Sequence, residues 1–136
     1  MSTSVDADIS AFLAGSPFAV AGASNARHKY GNRVLRRYWG AGREAIPINP
    51  SETVVEGAPC YPTLAAAPQP IHAVSIITPP EVSNQIVDDA LALGIRFLWF
   101  QPGAEHPGAI ERARRAGCVV ISDGPCVLVV LGRPER

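Results

Sequence analysis

A chain of 136 residues, 47% hydrophobic and 18% charged, is long enough to bury a core of its own, and one domain is expected over residues 1–136. Twelve Lys and Arg balance twelve Asp and Glu, so no global field draws the chain to nucleic acid or to an anionic membrane, and neither is an expected partner. Cys60, Cys118 and Cys126 form no CxxC pair and lie at no metal-ligand spacing from His72 or His106, which argues against a metal site and for reduced thiols in a cytoplasmic protein.

The N-terminus shows no basic-then-apolar leader pattern, and no apolar run approaches the roughly 18 residues of a membrane span. The segment from Val5 to Leu13 reads as a short helix capped by Asp6 or Ser4. Phe18 to Gly22 is apolar without alternation, the pattern of a strand buried on both faces. A helix is predicted from Tyr30, with Val34, Leu35, Tyr38 and Trp39 on one stripe and Gly40 or Gly42 ending it. Ala45 to Ile48 is a second strand, ended by Asn49-Pro50, and Thr63 to Ala67 is read as one helical turn.

Ala73 to Ile77, rich in β-branched residues, is the third strand. Thr78-Pro79-Pro80-Glu81 has the pattern of a capping box opening a helix whose inner face carries Val82, Ile86, Ala90 and Leu93. Ile95 to Phe100 is the fourth strand, and a helix from Pro107 to Ala116 gathers Arg112, Arg114 and Arg115 near its C-terminus, where cations suit the dipole. Cys118 to Ile121 is the fifth strand, and Val127 to Leu131 is read as an added edge strand.

Strands and helices thus alternate four times, which implies a doubly wound parallel sheet in a three-layer α/β/α arrangement, with strand order 3-2-1-4-5 expected. Ligands of such sheets sit beyond the carboxyl ends of the strands, at the point where the order reverses. The loops after Gly22, Ile48, Ile77 and Phe100 are therefore the candidate site. In the first, Gly22, Ala23 and Ser24 are small enough for a ligand to approach the backbone, and the N–H groups at the start of the following helix suit a phosphate. Arg27, His28 and Lys29 add positive charge. This is not the GxGxxG fingerprint, because Ser24 replaces the second glycine, and no acid ends the second strand to hold ribose hydroxyls; Glu52 lies too far on. Both points count against NAD.

Gly22-Ala23-Ser24, Lys29, Ile46-Pro47-Ile48-Asn49-Pro50, Glu56-Gly57, Cys60-Tyr61-Pro62-Thr63-Leu64, Thr78-Pro79-Pro80-Glu81 and Trp99-Phe100-Gln101-Pro102-Gly103 stand in one order over Phe18 to Cys126. In these motifs the chain resembles the small stand-alone CoA-binding proteins, and is similar to the N-terminal domain of the succinyl-CoA synthetase α subunit. The resemblance implies a Rossmann-like fold and coenzyme A as cofactor. It implies that Gly22, Ala23 and Ser24 cradle phosphates beside Lys29, and that Asn49 and Pro50 border the adenosine or its phosphate. Ile77, Thr78 and Pro79 would wall the adenine and ribose, and Gln101, Pro102 and Gly103 would border the pyrophosphate or the pantetheine arm. Two departures stand out. Ile77 and Thr78 replace an aromatic residue and an arginine frequent in the family, and Asp123-Gly124-Pro125-Cys126 replaces Asp-Arg-Cys.

Nothing in the sequence argues for an enzyme. His72 and His106 read as structural, Asp88-Asp89 as a solvated helix face, and Cys126 has no adjacent base to activate it. The leading expectation is a non-catalytic binder of CoA or acyl-CoA. An NAD(P)-dependent oxidoreductase or other nucleotide-using enzyme, and an interaction protein with a decayed site, are the alternatives. A protein partner or homo-oligomer stays open.

Overall fold

The computed structural model describes residues 4–131. In chain order the elements are α1 (Val5–Leu13), β1 (Phe18–Ala21), α2 (Tyr30–Gly40), β2 (Ala45–Ile48), β3 (Val54–Val55), β4 (Ala58–Pro59), β5 (Ala73–Ile76), α3 (Pro80–Ala92), β6 (Phe97–Phe100), α4 (Pro107–Arg115), β7 (Val119–Ile121) and α5 (Val127–Leu131). Ser4 caps α1, its Oγ accepting from the Ala7 amide at 3.0 Å.

Five parallel strands form the main sheet in the order β2-β1-β5-β6-β7. Phe18 pairs with Ala45 on one side and with Ala73 on the other. The doubly wound parallel architecture stands, but the order corrects the expected one: numbering the predicted strands alone, it is 2-1-3-4-5, not 3-2-1-4-5. The physical reason lies in Pro47, which has no N–H to give a ladder and so belongs on an edge strand rather than between two neighbours. β2 is that edge. Its outer side is covered by the Tyr61 segment, whose amide donates to Pro47 O at 3.1 Å and whose carbonyl accepts from Asn49 N at 2.9 Å. The reversal of strand order consequently falls between β1 and β5.

Alternate side chains divide the core between the two faces of the sheet. Ala19, Ala21, Val74, Ile76, Leu98 and Phe100 pack with Ile86 and Val87 of α3 and Ala109, Ile110 and Ala113 of α4. Phe18, Val20, Ala73 and Trp99 pack with Phe12 of α1, Val34, Leu35 and Tyr38 of α2, and Val127 and Leu128 of α5. Inside this second face the Tyr38 hydroxyl and Ser75 Oγ share a 2.6 Å hydrogen bond.

Several local expectations change. Val127–Leu131 is a helix, not an edge strand: a five-residue apolar run has no period to distinguish the two, and docking decides. Its first turn is closed by Val129 and Val130 amides on Cys126 O, and Arg37 Nη1 donates to Leu128 O at 2.8 Å. Residues 63–67 form only a turn, in which the Ala66 amide donates to Thr63 Oγ1. Thr78 does not cap α3 through a capping box; the N-cap is Pro79, and the Thr78 hydroxyl instead meets Ser83 Oγ at 2.8 Å. The inner face of α3 is Ser83, Ile86, Val87 and Ala90, while Val82 is exposed. The β3–β4 hairpin was not anticipated.

Candidate functional site

A cleft of about 710 Å³ opens over the carboxyl ends of β1, β2 and β5, at the reversal of strand order. Among the residues implied by the resemblance, Gly22, Ser24, Lys29, Asn49, Pro50, Ile77, Thr78 and Pro79 line it. Ala23, Gln101, Pro102 and Gly103 do not, nor does Arg27, which the charge of the first loop suggests. His28, Tyr30, Gly31, Thr63, Val82 and Asp89 line it in addition.

The β1–α2 turn explains the small residues. Gly22 has φ +95, and a Cβ there would lie 2.5 Å from Ile77 O, so both the backbone angle and the neighbouring strand end require glycine. Gly31, in the first turn of α2, packs against the carbonyl of Gly22 with no space for a side chain. The helix therefore starts directly against the strand end. Its N-cap, Lys29, supplies no side-chain acceptor, and its first turn carries no acid; the Asn32 amide donates to Lys29 O at 3.2 Å, and the Tyr30 and Gly31 amides ahead of it keep their capacity for an anion. Lys29 is the cationic side chain of the cleft wall, His28 lies on the same wall, and Asp89 is its carboxylate.

Polar ties hold the turn in shape. Asn49 Nδ2 donates to Ala23 O at 2.7 Å while its Oδ1 accepts from the Ser51 amide, so Asn49 braces the loop as well as facing the cleft. Ser24 Oγ accepts from the Ala26 amide at 3.0 Å. Asn32, fully buried, donates from Nδ2 to Ser24 O and to Glu56 Oε2, both at 2.8 Å, and accepts from Arg36 Nε. Asn25 donates to Val54 O and to Glu52 Oε1 and accepts from the Glu56 amide. Arg27 Nε lies 3.2 Å from Glu56 Oε2, which turns that guanidinium toward the hairpin. The hydrogen bond from Asn32 is the main reason that the Glu56 carboxyl is held below its usual range, with Arg27 and Arg36 adding to it.

Gln101 lies apart from the cleft, almost fully buried. It donates from Nε2 to Cys126 Sγ at 2.8 Å and accepts the Val127 amide at 3.2 Å, so it anchors the start of α5. Pro102 and Gly103 are exposed at the end of β6. His72 Nε2 bonds Phe12 O at 2.8 Å, and His106 Nδ1 accepts from the Ala109 amide as the cap of α4. Burial pushes the Cys60 and Cys118 thiols up, away from the reactive thiolate. Among the described residues no three His, Cys, Asp or Glu side chains are grouped to hold a metal, and no helix is long and apolar enough to cross a membrane.

Reasoning from sequence gives no site role to Asn32, to Glu56, which stands only as part of a motif, or to Asp89, which reads as part of a solvated helix face. Glu56-Gly57 between Val54-Val55 and Ala58 is a readable two-residue hairpin turn. Asn32, inside a helix, and Asp89, one of two adjacent acids, carry no local signal.

A parallel sheet wound on both faces, with a close glycine contact where its first strand meets a helix, defines a Rossmann-like α/β protein. The model of the CoA binding domain family matches residues 16–132, and the chain belongs to that family. A conserved hypothetical protein from Pyrococcus furiosus is 34% identical, with a TM-score of 0.79 over 85% of this chain and 99% of that one. A hypothetical protein from Pyrococcus horikoshii OT3 shares the fold at a TM-score of 0.87 and 24% identity, over 93% and 89% of the two chains. An acetyl-coenzyme A synthetase 1 from Ca. Korarchaeum cryptofilum, solved with phosphate and ADP, is 27% identical at a TM-score of 0.69. That match covers 77% of this chain but 25% of the synthetase.

Proposed function

We propose that this chain binds coenzyme A or an acyl-CoA in the cleft over β1, β2 and β5, as a cytoplasmic binding module rather than an enzyme. The observation that carries the reading is the joining of Gly22, Ser24, Lys29 and the uncapped start of α2 on one cleft wall, in a chain of the CoA binding domain family. In this reading the phosphates lie against the β1–α2 turn, where helix amides and the Lys29 ammonium meet them. Ile48, Pro50, Ile77 and Pro79 offer an apolar wall to the adenosine. An arm leaving the cleft past β5 toward the neighbouring β6 would run by Pro102 and Gly103.

Support for CoA over NAD(P) comes from the end of β2. There Asn49 is occupied by Ala23 O and the Ser51 amide, and Glu52, tied to Asn25 through one oxygen, does not line the cleft, so the end of β2 presents no carboxylate to ribose hydroxyls. Support for binding without catalysis comes from the histidines, of which His72 and His106 are committed to backbone partners.

Titration calorimetry with CoA, acetyl-CoA and NADP tests the reading. Heat with the first two, competitive between them and larger than with NADP, is the expected result. No heat from CoA or acetyl-CoA at millimolar concentration sinks it.

A further inference from the structure

Glu56 is the one described residue in the cleft region that holds an unfavourable backbone angle without being glycine. Its φ is +50, and Gly57 follows at +81, so the pair forms the two-residue turn of the β3–β4 hairpin. Such turns favour Asn-Gly, because Asn tolerates the left-handed region and glutamate does so poorly. A residue kept in a disfavoured conformation points to a task for its side chain. Here that side chain reaches across the hairpin to the β1–α2 turn. Its carboxylate accepts from Asn32 Nδ2 and pairs with Arg27 Nε, while its amide donates to Asn25 Oδ1.

The same Asn32 Nδ2 that meets Glu56 also holds Ser24 O. A trans peptide sets its N–H opposite its C=O, so fixing the Ser24 carbonyl fixes the direction of the Asn25 N–H. Asn49, through Ala23 O, does the same for the Ser24 N–H. Arg36, which bonds Asn32 Oδ1 and Arg27 O, closes the network on the α2 side. An asparagine in the turn would satisfy the hairpin but is too short to reach Asn32 and Arg27 together.

We propose that Glu56 is a positioning residue for the cleft, whose carboxylate acts through Asn32 to fix the Ser24–Lys29 backbone and holds the Arg27 guanidinium on the hairpin, out of the cleft. The proposal rests on the CoA-binding reading only for its effect on affinity; its effect on the loop stands without a ligand.

The test compares wild type, Glu56→Asn and Glu56→Gln. Asparagine suits the turn but lacks the reach; glutamine keeps an acceptor for Asn32 and loses the charge that holds Arg27. In ligand-free protein, Glu56→Asn is expected to shift or broaden the backbone amide resonances from Ser24 to Lys29 and the Asn32 side-chain amide pair. The sheet amides and the melting temperature should stay near those of wild type. Glu56→Gln is expected to restore the Asn32 signals. By calorimetry, Glu56→Asn should weaken CoA about tenfold, the scale of one lost polar tie, with Glu56→Gln intermediate. Unmoved loop resonances in Glu56→Asn would overturn the proposal, as would loop changes that glutamine fails to rescue. If wild type binds no CoA, the functional reading falls, while the ligand-free resonances still judge Glu56.

Discussion

The carbonyl oxygen of Gly22 sits against the Cα of Gly31, leaving no room for a Cβ between the end of β1 and the first turn of α2. Glycine inside a helix ordinarily costs about 1 kcal/mol relative to alanine, so Gly31→Ala would normally stabilise. Here the backbone contact reverses the sign. Gly31→Ala is expected to destabilise by about 1–3 kcal/mol, the cost of overpacking, and to displace the helix start from the cleft. Urea denaturation measures the first effect and CoA calorimetry the second; a stability gain in Gly31→Ala would refute the contact.

Lys29 is exposed, forms no ion pair among the described residues and lines the cleft. Lys29→Met should therefore leave the urea midpoint within about 0.5 kcal/mol of wild type, as surface substitutions do. CoA affinity should fall about tenfold, the scale of a charge-assisted contact. The loss should shrink in high salt, because an exposed cation is screened. Equal loss for CoA at low and high salt would place the phosphates elsewhere.

Much of this arrangement was legible in the chain because the order of strands and helices alone brings the β1, β2 and β5 loops to one end of a sheet. Small residues and glycines mark those loops directly. The strand order was not legible in them: the expected 3-2-1-4-5 puts the second strand between two neighbours, although Pro47 in that strand speaks for an edge. What stayed hidden depends on distance. Asn32 and Glu56 are twenty-four positions apart, and nothing local to either announces the other. Gln101 shows the converse: it stands in a motif at a strand end, yet its side chain is spent on Cys126 and Val127, which no local pattern reveals. For Val127–Leu131 the apolar run reads as an edge strand, and the helix that buries Val127 and Leu128 instead is set by docking on α2.

The Glu56 carboxyl is held below its usual range chiefly by the Asn32 hydrogen bond, with Arg27 from the loop and Arg36 from α2 adding to it. A carboxyl depressed in the folded state contributes stability that is present above its unfolded value of 4.5 and is lost as pH falls through the lower folded value. The stability difference between wild type and Glu56→Gln should thus be constant near neutral pH and shrink only below about pH 4.5. Urea unfolding of both proteins between pH 7 and 3 checks this. A difference that grew on acidification would contradict the Asn32–Glu56 bond.

Tyr38 gives a prediction of opposite sign at the other end of the pH scale. Its hydroxyl is buried against Ser75 on the α2 face of the sheet, and burial pushes its pKa far above the ordinary 10.0. The Ser75 hydrogen bond and nearby Arg43 offset only part of this. Below pH 10 both folded and unfolded chains hold the proton. Above it the unfolded tyrosine ionises while the folded one does not, so stability falls with rising pH, by about 1.4 kcal/mol per pH unit for one proton. In Tyr38→Phe that contribution disappears, and the wild-type minus variant difference isolates it from other groups that titrate in alkali. At neutral pH Tyr38→Phe should cost about 1–3 kcal/mol, because Ser75 Oγ then loses its partner in the core. Adding Ser75→Ala should recover part of that cost, since it removes the orphaned hydroxyl. A double variant as unstable as the sum of the singles would mean that the two hydroxyls do not interact.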